Sequence, residues 1–255
     1  MEFYHTSVML NEAVDALAPH EGGTYFDGTL GGGGHSLEIM KRGGKVIATD
    51  LDGDAIAYAQ KRFEKAGMSG RYVLVRDNFK NAARVLDDLG VDAVDGALLD
   101  LGVSSHQFDA PERGFSYRYD APLDMRMDTR GGLTAKDVVN DYPPAQLLRI
   151  LYEYGEESYA KRIVAAITAE RKKAPIETTG RLAEIVERSV PHRKGGHPAK
   201  KTFQAIRIEV NGELDGLSEA LESTAGRTGR RGGNAYPSLK EGRQDMRYHI
   251  PLTGG

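Results

Sequence analysis

Short apolar segments alternate with helical segments over residues 24–99, and this alternation constrains the fold more than any other feature of the sequence. The apolar segments are rich in β-branched and aromatic residues, which predicts strands at residues 24–26, 45–49, 72–75 and 94–99. Apolar residues at helical spacing predict helices at residues 36–42, 55–66 and 82–89. Alternating strands and helices with short connections form a parallel sheet covered on both faces, so the sequence predicts an α/β fold.

An aspartate stands at the end of three of these predicted strands. Asp27, Asp50 and Asp100 follow the first, second and fourth strands along the chain. Ligands of open parallel sheets bind beside the carboxyl ends of the strands. We therefore expect the three carboxylates to lie at the ligand-binding edge of the sheet.

A glycine-rich loop, residues 27–36 (DGTLGGGGHS), connects the first predicted strand to the first predicted helix. Glycines let the backbone turn tightly and approach a ligand, so the loop suits a dinucleotide, a mononucleotide or S-adenosylmethionine. Asp50, at the end of the next strand, can accept both hydroxyls of an adenosine ribose. Four consecutive glycines followed by His35 depart from G-x-G-x-x-G spacing and favour a ligand without a pyrophosphate, with a nicotinamide cofactor as the alternative. The sequence has no G-x-x-x-x-G-K-[ST] motif, which argues against phosphoryl transfer.

Two residues at strand ends each have two interpretations. Phe79, after the third strand, either stacks on an adenine whose edge Asp77 or a backbone amide reads, or caps the hydrophobic core. Asp100 either accepts a hydrogen bond from an exocyclic amine and directs its lone pair, or binds the amino group of a methionine-containing cofactor. Both pairs of roles stay open at the level of sequence.

Composition excludes several classes of site. The 255-residue chain has no cysteine, which excludes disulfides, thiolate metal sites and cysteine nucleophiles. Its 34 basic and 37 acidic residues give a net charge of −3, so any nucleic-acid site has to be a local patch. The sequence has neither an apolar run of membrane-spanning length nor a secretory signal at its start, so we expect a cytoplasmic protein. His192 and His197 have no carboxylates near them in sequence, and we predict no metal site.

After residue 102 the pattern changes to an irregular segment and then to several helices. These helices predict a second, all-helical lobe inserted after the fourth strand. The predicted domains are a cofactor-binding domain at 1–105, a substrate loop with the helical insertion at 106–200, a helix returning to the first domain at 201–222, and an atypical, poorly ordered tail at 223–255.

Several specific blocks of sequence carry a resemblance to a known family. They lie at residues 5–10, 27–36, 98–107, 112–116, 122–128, 154–157, 160–163, 197–199 and 202–207. Through these blocks the chain resembles the bacterial 16S rRNA (cytosine-N4-)-methyltransferase family (RsmH/MraW) over residues 5–221. The resemblance implies a class I S-adenosylmethionine-dependent methyltransferase sheet with an inserted helical domain. It also implies that the substrate is N4 of a cytidine in the decoding region of 16S rRNA.

The resemblance further implies which residues bind the cofactor. They are Gly33, Gly34, His35, Asp50, Phe79, Asp100 and Gln107. Asp100 is also the predicted catalytic residue, because the delocalised amine of cytosine needs an oriented acceptor more than a strong base. The expected partner is 16S rRNA in the small ribosomal subunit.

The segment at residues 104–128 is predicted to cover the target base. The predicted substrate contacts are Arg113, Phe115, Asp124 and Arg126, with Arg118 and Tyr117 beside them. Arginines can meet phosphates or a base edge, and an aromatic ring can stack on a flipped base. Asp124 and Arg126 have the alternative of pairing with each other to brace the loop. A basic patch for RNA is also predicted, formed by residues 193–194, residues 200–201, Arg207, His192 and His197.

The C-terminal part departs from the family pattern after Leu221. Family members continue into a further strand and a terminal hairpin, whereas residues 232–239 of this chain lack the corresponding apolar run. We therefore expect the last strands of the sheet to be missing and the outer edge of the fourth strand to be exposed. The alternative function that follows is a non-catalytic remnant that binds S-adenosylmethionine or RNA.

Overall fold

A computed structural model describes residues 10–102, 110–191, 196–217, 220, 222 and 224, and the backbone of residues 236–237. The chain forms two compact units, one of Met1–His106 with Asp215–Gly255 and one of Gln107–Leu214. The first unit holds the sheet, and the second consists of helices and loops. Within these described ranges, no helix is long and apolar enough to cross a membrane.

The first unit contains the predicted alternation of strands and helices. Its longer strands are β1 (Thr24–Asp27), β2 (Lys45–Asp50), β3 (Tyr72–Arg76) and β4 (Gly96–Leu99). Its helices are α1 (Leu10–Leu17), α2 (Gly34–Lys41), α3 (Gly53–Lys65) and α4 (Ala82–Asp88), with a 3₁₀ turn at Phe79–Asn81. The strands are parallel and lie in the order β3-β2-β1-β4, which confirms the predicted fold class.

Side chains along each strand alternate between the two faces of the sheet, and along β1, β2 and β4 both faces are largely buried. Tyr25 and Val46 join Phe63 of α3 in the core on one face. Phe26 and Ile47 join residues of α4 in the core on the other face. Because helices cover both faces, the strands are continuous apolar runs in the sequence rather than alternating ones.

The sheet extends beyond β4, which corrects the expectation that the outer edge of this strand lacks a neighbour. A two-residue strand, β5 (Tyr236–Pro237), pairs in parallel with Leu98 and Leu99. A proline is compatible with this place because an edge strand has one side without ladder hydrogen bonds. Two residues are too few to show the alternation by which strands are predicted. The rest of the predicted tail beyond Thr224 lies outside the described residues.

The second unit contains the predicted helices. They are α5 (Ala135–Asp141), α6 (Pro144–Glu153), α7 (Ala160–Arg171), α8 (Thr179–Ser189) and α9 (Lys200–Asn211). The side chains of Thr134 and Thr178 cap α5 and α8, and Gly212 ends α9 in the left-handed conformation. α9 packs against α5 and α6, and its Phe203 is buried. The chain therefore leaves this unit only after α9, whereas the sequence pattern predicts that residues 201–222 return to the first domain.

Gly155, between α6 and α7, is a position where the backbone leaves no room for a side chain. A methyl group there would lie 2.7 Å from the carbonyl oxygen of Lys201 and 2.9 Å from that of Leu151. Because backbone atoms yield little, we expect Gly155→Ala to lower the free energy of unfolding by about 1–3 kcal/mol. Gly131→Ala is the matched control, since a methyl group there meets no atom within 4 Å. Urea titrations of both variants test this, and equal unfolding midpoints would contradict it.

Candidate functional site

The carboxyl ends of β1, β2 and β4 bring three aspartates to the same edge of the sheet, here called the acidic edge (Asp27, Asp50 and Asp100). Asp27 pairs with Ala48 of β2 on one side and with Leu98 of β4 on the other. Asp50 ends β2, and Asp100 directly follows β4. The parallel register therefore places all three carboxylates where ligands of such sheets bind.

The glycine-rich loop leaves the end of β1 and is held by hydrogen bonds to both neighbouring strands. The Gly28 N–H donates to the Leu98 carbonyl oxygen over 2.9 Å, and the Leu30 N–H donates to the Thr49 carbonyl oxygen over 3.0 Å. Gly33, directly before α2, has a φ of 70°, in the left-handed region that favours glycine. The loop therefore has a defined path across the acidic edge into α2.

Asp50 connects the glycine-rich loop to the end of β2, with one carboxylate oxygen bonded to the loop and the other to the turn that follows β2. Oδ2 accepts the Gly31 N–H over 2.8 Å, and Oδ1 accepts the Asp52 N–H over 2.8 Å. Burial is the largest cause that raises the pKa of Asp50 to about 6; the charges of Asp52 and Asp27 also raise it, and the two hydrogen bonds oppose the rise. Each oxygen keeps a second lone pair, so the carboxylate can still accept hydroxyl donors from a ligand.

Asp27 is the most deeply buried member of the acidic edge, with 1% of its surface exposed. Its Oδ2 accepts the Ser36 hydroxyl over 2.6 Å, and its Oδ1 accepts the Thr29 N–H over 3.1 Å. Burial raises the pKa of Asp27, and the charge of Asp100 adds to the rise, while the hydrogen bond from Ser36 and the neighbouring His35 oppose it. These contacts make Asp27 the link between β1 and the start of α2.

His35 and Asp100, both predicted cofactor contacts, lie close together. His35 Nδ1 is 3.8 Å from Asp100 Oδ2, and the two side chains are 8% and 9% exposed. The Asp100 N–H donates to the Thr29 hydroxyl oxygen over 2.5 Å, which fixes the backbone at the end of β4. A buried carboxylate in this position can meet either an amine of the substrate or an ammonium group of a cofactor, so both interpretations of Asp100 are compatible with the geometry.

Phe79 and Asp77 are occupied by contacts within the first unit. Phe79 is 7% exposed and packs with Leu99, as the core-cap interpretation predicts. The Asp77 carboxylate accepts a hydrogen bond from Asn81 over 2.7 Å and forms an ion pair with Arg84. Asp77 therefore braces its own turn rather than presenting a free carboxylate to an adenine edge. The cofactor contact at Phe79 stays a prediction.

In the second unit, Asp124 and Arg126 form a two-bond ion pair. Arg126 Nε donates to Asp124 Oδ1 over 2.9 Å, and Nη2 donates to Oδ2 over 2.7 Å. Burial alone would raise the pKa of Asp124, but the hydrogen bonds from Arg126 and the charge of Arg113 bring it below its usual range. The pairing alternative thus describes this structure, and both side chains stay part-exposed. Their contact with RNA stays a prediction.

The other predicted substrate contacts are more enclosed. Arg113 donates from Nη2 to the Arg126 carbonyl oxygen over 2.9 Å and lies over the Phe115 ring, 5.8 Å from its centroid. Phe115 is 5% exposed, and its stacking on a base stays a prediction. Tyr117 stacks on His197 with their centroids 4.2 Å apart. Aromatic residues in an irregular segment can equally complete a core, and here packing decides.

Several predicted site residues lie outside the described part of the chain, and one forms an ion pair within its own unit. Gln107, His192 and residues 193–194 lie outside the described residues, and their roles stay predictions. Arg207 of the predicted basic patch forms a largely buried ion pair with Glu213, with Nε 2.8 Å from Oε1, and its contact with RNA stays a prediction. Among the described residues, no group of three or more His, Asp or Glu could hold a metal ion.

Thr29, Thr49 and Asn211 hold these sites in place through hydrogen bonds. None of the three is predicted from the sequence as a site residue. The Thr29 hydroxyl accepts the N–H of the fourth strand's aspartate, and the Thr49 hydroxyl donates to the Gly28 carbonyl oxygen over 3.1 Å. Asn211 bonds to the backbone on both sides of Arg126. Position within the glycine-rich loop is a signal that could identify Thr29. Asn211 has no local signal, because its partners are distant in sequence.

Comparisons with known proteins find relatives over most of the chain. The sequence model of the MraW methylase family matches residues 2–233. The ribosomal RNA small subunit methyltransferase H of Lachnospira eligens is 50% identical over 238 residues, which cover 91% of this chain and 75% of that protein. Its namesake from Carboxydothermus hydrogenoformans is 53% identical over 224 residues, covering 87% of this chain and 71% of that protein. The one from Symbiobacterium thermophilum is 51% identical over 228 residues, with the same coverage of 87% and 71%.

Proposed function

Because the chain belongs to the MraW methylase family, we propose that it methylates N4 of a cytidine in the decoding region of 16S rRNA. At the level of the family, it is an S-adenosylmethionine-dependent rRNA methyltransferase. The cytidine position and the decoding region follow from the sequence resemblance. The observation that carries the proposal is the acidic edge, where Asp50 holds the glycine-rich loop and Asp100 lies beside His35.

The residues of the acidic edge fit S-adenosylmethionine. Asp50 presents two oriented oxygens with free lone pairs, which suits the two hydroxyls of a ribose. Three carboxylates in one place suit a cofactor with a cationic sulfonium and an ammonium group, because those charges offset their mutual repulsion. When bound, the cofactor supplies an electrophilic methyl group. His35, Gly33 and Gly34 are the further residues that would hold it.

In this proposal, Asp100 orients the amine of the target cytosine. The lone pair on N4 is delocalised into the ring, so the amine needs orientation and exclusion of water more than a strong base. Asp100 is 9% exposed, and its backbone is fixed by Thr29, so its carboxylate has a defined position. Such a carboxylate accepts an N–H of the amine and directs the lone pair toward the methyl donor.

The proposal is tested by methyl transfer from labelled S-adenosylmethionine to small ribosomal subunits that lack the modification. The subunits are then digested to nucleosides, and we expect the label in N4-methylcytidine from the decoding region. Label in another nucleoside would contradict the assignment to N4. Cofactor binding without transfer to any subunit preparation would favour the non-catalytic alternative.

Asp100→Asn distinguishes the two roles of this residue, because it keeps the shape of the side chain and removes its charge. If Asp100 orients the amine, methyl transfer at saturating cofactor falls by about a hundredfold, comparable to the loss of one oriented electrostatic contact in other active sites. We expect this result, with the dissociation constant for S-adenosylhomocysteine changed less than about threefold. Calorimetry and single-turnover transfer measure the two quantities. Lost binding with intact transfer at saturation would assign Asp100 to the cofactor instead.

The raised pKa of Asp50 predicts a pH dependence of cofactor binding. Since the ionised carboxylate is the form that accepts ribose hydroxyls and the pKa of Asp50 is about 6, affinity falls as the pH drops through that value. The dissociation constant for S-adenosylhomocysteine should rise about tenfold between pH 7 and pH 5. Asp50→Asn should bind weakly at both pH values.

Asp95→Asn is the matched control for this measurement. Asp95 accepts the Thr24 N–H over 2.8 Å at the opposite end of β1, so its loss removes a carboxylate of the same unit away from the acidic edge. This variant should keep the full pH dependence. Equal affinity of the unmodified chain at pH 7 and pH 5 would refute the role of Asp50.

A further inference from the structure

Asn211, the last residue of α9, brackets Arg126 with a single side chain. Its Nδ2 donates to the Met125 carbonyl oxygen over 2.8 Å, and its Oδ1 accepts the Met127 N–H over 2.7 Å. Nδ2 also donates to the carbonyl oxygen of Arg207 in its own helix over 2.9 Å, which fixes the orientation of the amide. The peptide groups on both sides of Arg126 are therefore held by one residue that is remote from it in sequence.

The backbone held in this way has an uncommon conformation. Met125 has a φ of 60°, in the left-handed region that a residue with a side chain rarely adopts, and it is fully buried. Such conformations persist only where surrounding contacts impose them, and they concentrate at functional positions. Met127 is also buried, whereas Arg126 between them is 24% exposed at its side chain. The bracket thus fixes the residue that reaches the surface.

The Arg126 side chain retains capacity to bind a ligand. Its bonds to Asp124 use Nε and Nη2, and among the described residues no hydrogen bond engages Nη1. A guanidinium has five N–H donors in a fixed plane, so the carboxylate of Asp124 orients it and leaves donors for a phosphate or a base edge.

We propose that Asn211 is a positioning residue that presents Arg126 to the RNA substrate. The inference rests on the proposed function, because it takes Arg126 as a contact of the RNA. Asp124 sets the plane of the guanidinium, and Asn211 sets the backbone from which the side chain departs. Asn211 itself touches neither substrate nor cofactor in this scheme.

Asn140 provides a matched control in the same unit. Its Nδ2 donates to the Lys136 carbonyl oxygen of its own helix over 2.8 Å and to the Ile176 carbonyl oxygen over 2.9 Å, and its Oδ1 accepts the Ile176 N–H over 2.8 Å. The bonds match those of Asn211 in number, type and length. They hold a buried isoleucine before α8 instead of the backbone around Arg126.

The first measurement compares Asn211→Asp with Asn140→Asp. Each change removes the same two donated hydrogen bonds and adds the same charge. We expect similar losses of thermal stability, but only Asn211→Asp should raise the Michaelis constant for the small subunit, by about five- to tenfold. Its turnover number and its affinity for S-adenosylhomocysteine should stay within about twofold. Equal Michaelis constants for the two variants would overturn the proposal. Should Asn211→Asp not fold, Asn211→Ala and Asn140→Ala give the same comparison.

A double-mutant cycle with Arg126→Ala separates positioning from general damage. If Asn211 acts through Arg126, Asn211→Asp should have no further effect on the Michaelis constant once Arg126 is alanine. Additive effects would show that Asn211 acts by another route and would overturn the inference. If Arg126→Ala alone leaves the Michaelis constant unchanged while methyl transfer proceeds, Arg126 is no RNA contact, and the inference falls while the methyltransferase function stands.

Discussion

Parallel pairing of β1 with β2 and β4 is the interaction on which the candidate cofactor site depends. Asp27 is aligned with Ala48 on one side and Leu98 on the other. Asp50 and Asp100 follow those partners by the same number of residues, so the register alone places both carboxylates beside the end of β1. A shift of either neighbour by one residue would turn its aspartate to the opposite face. The buried apolar residues on both faces fix that register, so the core determines the geometry of the site.

The carboxylates of the acidic edge repel each other, and a cationic ligand reduces that repulsion. Burial and mutual repulsion keep the pKa values of Asp27 and Asp50 above their ordinary range. The hydrogen bonds from Ser36 to Asp27 and from Gly31 to Asp50 reduce this cost without removing it. A ligand with positive charge lowers the repulsion further, and a neutral or anionic one does not. The clustering of three carboxylates therefore explains both why this edge costs folding free energy and why it favours a sulfonium cofactor.

Periodicity and local composition predict the strands, the helices and the residues at strand ends, but they do not predict which irregular residues pack into a core. The strands, the helices and the placement of Asp27, Asp50 and Asp100 follow from alternating patterns. The burial of Phe115 does not, because an aromatic residue in an irregular segment is equally suited to a surface or a core. Strand β5 shows no pattern because it is only two residues long. The bracket made by Asn211 joins residues more than eighty positions apart, and a pattern read along one chain does not reveal such pairings.

Asn140 and Asn211 make the same arrangement of hydrogen bonds in the second unit, but they hold different kinds of residue. Each asparagine is fixed by a carbonyl of its own helix and then holds a distant backbone through one donor and one acceptor. What differs is the residue held. Ile176 is buried, so the bonds around it stabilise packing, whereas Arg126 is charged, part-exposed and paired with Asp124. Met125, with its left-handed φ, lies beside Arg126, and the bonds from Asn211 and Arg113 hold the backbone there. These hydrogen bonds hold a strained backbone conformation beside a part-exposed arginine. They are better explained by the orientation that they give to this arginine than by the stability that they add.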